Sequence, residues 1–104
     1  MGFLDFLFGK KPDFNALLRR GAIIVDVRTP PEYKSGHIGG SKNIPLDTLH
    51  RHIDELKASG KPVITCCRSG ARSRTAVSLL RAKGIESYNG GAWTVLKDRI
   101  KAIR

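Results

Sequence analysis

The stretch that decides the fold of this chain is Val63-Ile64-Thr65-Cys66-Cys67-Arg68-Ser69-Gly70-Ala71-Arg72-Ser73. Its first part is apolar and β-branched, which is typical of a buried strand, and its second part is a short polar loop headed by a cysteine. Apolar residues at helical spacing follow at once, namely Ala76, Val77, Leu79 and Leu80. The pattern predicts a strand that enters a tight loop and leaves it as a helix.

The predicted loop suits an ionised thiol. A strand–loop–helix junction directs backbone N–H groups and the positive end of the helix dipole at one point. A thiol at that point ionises more easily than a free cysteine, whose pKa is about 8.5. Arg68 and Arg72 add positive charge, and Gly70 lets the backbone turn where a Cβ would obstruct it. The sequence therefore predicts a loop that holds an anion beside a nucleophilic sulfur.

The two adjacent cysteines have other possible roles as buried small side chains, as half of a metal site or as a disulfide. A zinc site needs about four ligands, and only His37, His50 and His52 accompany the cysteines, without a separated Cys-x-x-Cys pair. We therefore expect no metal. Neighbouring cysteines cannot form an ordinary bridge across a fold, so we expect a reducing, cytoplasmic location.

Length and charge limit the function classes. A chain of 104 residues is one domain with a single core. Nineteen Lys and Arg against nine Asp and Glu give a net charge of +10, which favours anionic partners such as small oxyanions, acidic proteins or a phospholipid surface. The basic residues are scattered and no basic motif interleaved with aromatics is present, so no nucleic-acid partner is expected.

Residues 1–12 form a separate apolar segment ahead of the domain at residues 13–104. The sequence Met1-Gly2-Phe3-Leu4-Asp5-Phe6-Leu7-Phe8-Gly9 is too short to span a bilayer. It also lacks the basic start and the long apolar core of a secretory signal. Two roles stay open: the segment packs on the domain's own surface, or residues 1–11 make a weak contact with a membrane surface or a partner.

Further strands and helices alternate along the chain. Strands are predicted at Ala22 to Arg28, around Asn43-Ile44, and at Ile85 to Tyr88, with Asn89-Gly90-Gly91 as a turn. Helices are predicted after Asp13, from Asp47 to about Ser59, up to Lys83, and from Trp93. This order predicts an α/β fold, a small parallel sheet of four to five strands with helices on both faces. Asp26 and Arg28 are charges at a strand end, and we interpret them as a network that fixes the following loop.

The chain resembles a single-domain rhodanese, a sulfurtransferase module. The matching segments are Val25-Asp26-Val27-Arg28-Thr29-Pro30 with Glu32-Tyr33, Gly36-His37-Ile38 with Gly40 and Asn43-Ile44-Pro45, Cys67-Arg68-Ser69-Gly70-Ala71-Arg72-Ser73, and Gly90-Gly91 with Trp93. They occur in the family's order and cover about residues 13–103. The apolar start does not match the family's usual opening strand, and Cys66 stands where an aromatic or aliphatic residue is commoner.

The resemblance implies that Cys67 is the nucleophile. Its thiolate would take the sulfane sulfur of a small anionic donor such as thiosulfate, release sulfite, and hold a persulfide for an acceptor: cyanide, a thiol or a protein. No metal or organic cofactor is implied. The residues that would bind the donor are Arg68, Ser69, Gly70, Ala71 and Arg72. The residues that would support the site are Asp26, Arg28 and Ser73.

Two other functions remain open on the sequence. Counted from Cys66, the sequence Cys66-x5-Arg72-Ser73 fits the cysteine phosphatase signature, which would allow phosphate ester hydrolysis or arsenate reduction, although the loop offers no evident general acid. A non-catalytic rhodanese-type module that binds a partner is the other alternative. Cys66 also suggests a hypothesis of its own, the closure of a strained vicinal disulfide with a persulfidated Cys67.

Overall fold

Four parallel strands form a single sheet in the computed structural model, which describes residues 12–100. The strands are β1 (Ile23–Asp26), β2 (Lys42–Asn43), β3 (Val63–Cys67) and β4 (Ser87–Ala92), and their order across the sheet is β2-β1-β3-β4. β1 and β3 lie in the middle, which is why their sequences are almost continuously apolar. The predicted small parallel sheet is confirmed.

Helices cover both faces of this sheet, as predicted. They are α1 (Phe14–Arg19), α2 (Pro30–Lys34), a 3-10 helix (Leu46–His52), α3 (Ile53–Ser59), α4 (Ala71–Ala82) and α5 (Trp93–Ile100). On what we term the α4 face, the buried side chains include Val25, Val63, Cys67, Ala76 and Leu80. On the α5 face, they include Phe14, Ile64, Cys66, Leu96 and Ile100.

The predicted helix from Asp47 to Ser59 consists of two parts. Its first half, Leu46–His52, is a 3-10 helix that starts after Pro45, and only Ile53–Ser59 is α-helical. Leu46 and Leu49 pack toward the same core, and their spacing of three residues matches the three residues per turn of a 3-10 helix. Gly60 ends α3 in the left-handed region, with a φ of +67°.

The prediction of a turn at residues 89–91 is wrong, because β4 continues through both glycines to Ala92. A Cβ on Gly90 would lie 2.7 Å from the carbonyl oxygen of Thr65 and 2.8 Å from Leu96. Glycine at this position therefore permits close packing of two strands and a helix rather than a reversal. The register between β3 and β4 shifts between Thr65 and Cys67, as in a β-bulge, and Cys67 pairs with Ala92.

Several expectations concern residues outside the described range. The proposed packing or membrane contact of residues 1–11, the opening strand of the family and the inward position of Ile103 all lie outside residues 12–100. Within that range, no helix has the length and apolar character needed to cross a membrane.

Candidate active site

Cys67 is the last residue of β3, and its sulfur lies inside the loop that joins β3 to α4. The Sγ atom accepts hydrogen bonds from the backbone N–H of Gly70 at 3.0 Å and from that of Ser73 at 3.4 Å. Gly70 adopts a φ of +105°, which a side chain would strain, and α4 begins immediately after it. Cys67 as a whole is only 1% exposed. The loop therefore encloses the sulfur in amide donors at the start of a helix.

Two opposing effects act on the Cys67 thiol. Burial raises its pKa, while hydrogen bonds from the backbone and hydroxyl of Ser73 and from the amides of Gly70 and Ser69 lower it. The hydrogen bonds prevail, so the pKa of Cys67 lies below the ordinary cysteine value. This is the direction required of a nucleophilic thiol.

Cys66 lies on the opposite side of the sheet. Adjacent residues of a strand point to opposite faces, and Cys66 is fully buried among the apolar side chains of the α5 face. Burial, and then the charge of Asp26, raise the pKa of this thiol. This position argues against the phosphatase register that starts at Cys66, because the Cys66 side chain does not lie in the loop. Both thiols are free, and the opposite directions of the two side chains disfavour a vicinal disulfide.

The two loop arginines have different surroundings. Arg72 forms a bidentate pair with Glu32 of α2, with Nη1–Oε1 and Nη2–Oε2 distances of 2.8 and 3.0 Å. Arg68 is exposed and makes no hydrogen bond or ion pair with another residue of the range 12–100. Ser69 and Ala71 are also exposed, so the loop meets solvent on this side. Donor binding by residues 68–72 stays a prediction.

Asp26, the last residue of β1, forms a buried ion pair with Arg28. Their side chains are 1% and 5% exposed. Arg28 contacts both oxygens of Asp26 through Nε at 2.9 and 3.1 Å and through Nη2 at 2.7 Å. Its guanidinium also donates to the carbonyl oxygens of Glu32 and Gly36 and lies 4.8 Å from the Trp93 ring centroid. The pair thus connects β1 to α2, to the following connector and to the start of α5.

Glu32 and Asn89 also contact residues of the loop or of the first turn of α4, although neither is among the site residues predicted from the sequence. The Thr29-x-x-Glu32 spacing is a capping box, and Glu32 accepts from the Thr29 backbone N–H at 3.0 Å. That signal predicts a helix start but not the contact with Arg72, which is 40 residues away. Asn89 contacts Gly70 and Ser73 from β4. Nothing in the sequence reveals this contact, because it depends on the register of β4.

The histidines take no part in the loop. The Nδ1–H of His37 donates to the Tyr33 carbonyl oxygen at 2.8 Å, and the His37 ring stacks on the Tyr33 ring with 3.7 Å between their centroids. His50 is exposed. Over residues 12–100, no group of three His, Cys, Asp or Glu side chains is placed to hold a metal ion.

A cavity of about 510 Å³ lies beside Trp93 and Ile38, and no residue of the Cys67 loop lines it.

The Glu32–Arg72 pair predicts an acid-dependent loss of stability. Hydrogen bonds from Arg72, and then from Thr29, lower the pKa of Glu32 from 4.5 to about 2. Because this pKa is depressed in the folded protein, the carboxylate stabilises the fold fully above pH 4.5 and loses that effect as the pH falls through 2. In urea unfolding at several pH values, Glu32→Gln is therefore expected to lose less stability than wild type between those limits. Parallel losses in the two proteins would contradict the pairing.

Comparison with known proteins places this geometry in a family. The profile of the rhodanese-like domain matches residues 11–94, most of the chain. The chain belongs to the rhodanese-like domain family. Among similar proteins, the uncharacterized protein YqhL of Bacillus subtilis is 42% identical over 85 residues, which is 80% of this chain and 67% of that protein. The thiosulfate sulfurtransferase GlpE of Ectopseudomonas mendocina is 33% identical over 78 residues, 72% of this chain and 71% of that protein.

Solved rhodanese-like structures share the fold. The crystal structure of a rhodanese-like domain protein from Staphylococcus aureus aligns with a TM-score of 0.58 and 34% identity, over 86% of this chain and 81% of that one. Reduced CoADR-RHD from Bacillus anthracis aligns with a TM-score of 0.72 and 28% identity, over 96% of this chain but only 19% of that longer chain. The predicted rhodanese-like fold is thus confirmed by sequence and by structure.

Proposed function

We propose that this rhodanese-like protein is a sulfurtransferase that carries a sulfane sulfur as a persulfide on Cys67. The observation that carries the proposal is the contact of Sγ with the N–H groups of Gly70 and Ser73, at 3.0 and 3.4 Å. These donors stabilise a thiolate before the reaction and a persulfide anion after it. Thiosulfate is the proposed donor, supported by relatives named thiosulfate sulfurtransferase.

In the first step, the Cys67 thiolate attacks the outer sulfur of thiosulfate. A bond forms between Sγ and that sulfur, the sulfur–sulfur bond of the donor breaks, and its electron pair leaves with sulfite. In the second step, a thiophilic acceptor attacks the terminal sulfur, and the electron pair of the broken bond restores the Cys67 thiolate. Cyanide then becomes thiocyanate, and a small or protein thiolate becomes a persulfide. Each step transfers one neutral sulfur atom, so the reaction requires no metal or organic cofactor.

Charges at the loop suit an anionic donor. Arg68 is exposed beside Cys67, where its guanidinium attracts thiosulfate and sulfite. The charge of Arg72 is shared with Glu32, which limits how strongly this arginine binds a dianion. Ser69 and Ala71 belong to the exposed part of the loop, which the donor approaches. Asp26 and Arg28 fix the neighbouring segment that follows β1, through the contacts of Arg28 with Glu32 and Gly36. Because the reaction needs a reduced thiol, we also propose a reducing compartment such as the cytoplasm.

The mass of the intact protein after incubation with thiosulfate tests the proposal. We expect a gain of one sulfur atom, which disappears after addition of cyanide because the terminal sulfur leaves as thiocyanate. The matched control is Cys67→Ser, which should gain no mass. A protein that stays unchanged in mass, and forms no thiocyanate, would instead indicate the non-catalytic binding module. A loss of two hydrogen atoms would indicate that the Cys66 thiol has attacked the persulfidated Cys67, closed a disulfide and expelled the outer sulfur as hydrosulfide.

A further inference from the structure

We propose that Asn89 is a positioning residue that holds two amide donors of Cys67, those of Gly70 and Ser73, in place. The backbone N–H groups in contact with Sγ belong to Gly70 and Ser73. These are also the two loop residues that the Asn89 side chain contacts. The inference deepens the proposed function, but its primary test measures the thiol directly and does not depend on sulfur transfer.

The orientation of the Asn89 amide follows from its partners. The backbone N–H of Gly91 is a donor and lies 2.8 Å from one end of the amide, so that end must be the oxygen Oδ1. The other end, Nδ2, then donates to the carbonyl oxygen of Gly70 at 3.2 Å. Oδ1 also accepts from the Ser73 hydroxyl at 2.5 Å. One side chain therefore binds both ends of the loop, and Gly91 prevents it from flipping.

The backbone that carries Asn89 is held firmly in the sheet. It lies within β4, where it pairs with Thr65 of β3. The buried Thr65 hydroxyl donates to the carbonyl oxygen of Ser73 at 3.0 Å. The β3–β4 pair therefore makes a second contact with the first turn of α4, in addition to that of Asn89. Side chains on strands hold a site more tightly than side chains on loops do. The β-bulge that follows Thr65 permits this contact, because it shifts the register beside Cys67.

Removal of the Asn89 amide has two opposite effects on Cys67. It frees the Ser73 hydroxyl from Oδ1 of Asn89, which would strengthen the existing contact of this hydroxyl with Sγ, 3.6 Å away. It also removes one of the three donors to the carbonyl oxygen of Gly70 and leaves those of Arg74 and Ser73, so Gly70, whose N–H makes the shorter of the two backbone contacts with the sulfur, is held less firmly. The second effect should dominate, because the freed hydroxyl still has the Gly70 carbonyl as an acceptor at 3.1 Å. We therefore expect the thiolate to become less stable.

The charged and ionisable groups around Cys67 stay the same in such a variant. They are Cys66 on β3, Asp26 and Arg28 at the end of β1, Glu32 on α2, and Arg68 and Arg72 in the loop and α4. A change in the titration of Cys67 therefore reports the hydrogen bonds rather than a lost charge.

The test is the pH dependence of Cys67 alkylation by iodoacetamide, followed by mass spectrometry of the modified peptide. For Asn89→Ala we expect a rise of about one pKa unit, hence roughly tenfold slower alkylation at a pH below the transition. Asn89→Ser also removes the donor to Gly70 and adds no charge, so it should be alkylated about as slowly as the alanine variant. It serves as the second variant if the alanine variant does not fold.

Asn43→Ala is the matched control. Asn43 also uses its amide to bridge two backbone carbonyls, those of Asp26 and Arg28 at 3.1 and 2.9 Å, but it does not contact the Cys67 loop. It should lower the urea midpoint and leave the alkylation profile unchanged. In the sulfur-transfer assay, Asn89→Ala should lower kcat more than it changes KM for thiosulfate. Profiles of both Asn89 variants that superimpose on wild type would overturn the inference, whatever the transfer assay shows.

Discussion

Replacement of Cys67 by serine is expected to abolish thiocyanate formation from thiosulfate and cyanide, with a loss in kcat/KM of at least about 1000-fold. A serine hydroxyl at this position keeps the amide contacts but is not ionised near neutral pH and forms no persulfide. The measurement is initial-rate thiocyanate formation over a range of thiosulfate concentrations. Circular dichroism of the variant should match wild type, because only one buried atom changes.

Cys66→Ala is the matched control for Cys67→Ser. The Cys66 side chain lies in the apolar core of the α5 face, so alanine leaves a small cavity but no unpaired hydroxyl. This variant should keep its sulfur-transfer rate and unfold at a lower urea concentration. Equal losses of transfer in both variants would contradict the assignment of the nucleophile. Release of phosphate from a chromogenic ester that depends on Cys66 would replace sulfur transfer with the alternative chemistry.

The second large effect is expected at the buried Asp26–Arg28 pair. Asp26→Ala and Arg28→Ala should each lower the free energy of unfolding by about 3–5 kcal/mol, because each leaves the other charge buried without its partner. Arg28→Ala also removes the contacts with the carbonyl oxygens of Glu32 and Gly36. The double variant should cost less than the sum of the two, since it leaves no unpaired charge. Urea unfolding of the four proteins measures this coupling.

An exposed arginine–carboxylate pair, also bidentate, provides the comparison. Arg20 contacts both carboxylate oxygens of Glu86 at 3.0 and 2.8 Å, but the two side chains are 55% and 40% exposed. Water and salt screen such a pair, so Arg20→Ala should have only a small fraction of the effect of Arg28→Ala. Similar losses at both sites would show that burial does not determine the energy of the Asp26–Arg28 pair.

The local part of the fold follows from the sequence alone. The β-branched residues before Cys66 predict β3, the residues after Gly70 predict α4, and Asp13 predicts the start of α1, where it accepts from the Ala16 N–H at 3.1 Å. These features depend on neighbours within a few residues, which the sequence displays directly. The local sequence does not predict the 3-10 helix or the extension of β4, because tertiary packing overrides the local signals. Gly90 is the clearest case, since its pattern is typical of a turn but its close contacts with Thr65 and Leu96 place it in a strand.

The sequence by itself determined the fold class and the loop that holds the candidate nucleophile, because alternating apolar strands and helices, a glycine and a cysteine at fixed spacing are local patterns. Tertiary structure decided which cysteine faces that loop: side chains alternate along β3, and the packing of the helices places Cys67 on the α4 face and Cys66 on the α5 face. It also decided that Glu32 binds Arg72 and that Asn89 binds Gly70 and Ser73. Such contacts join residues 16 to 40 positions apart and exist only once the strand register is set.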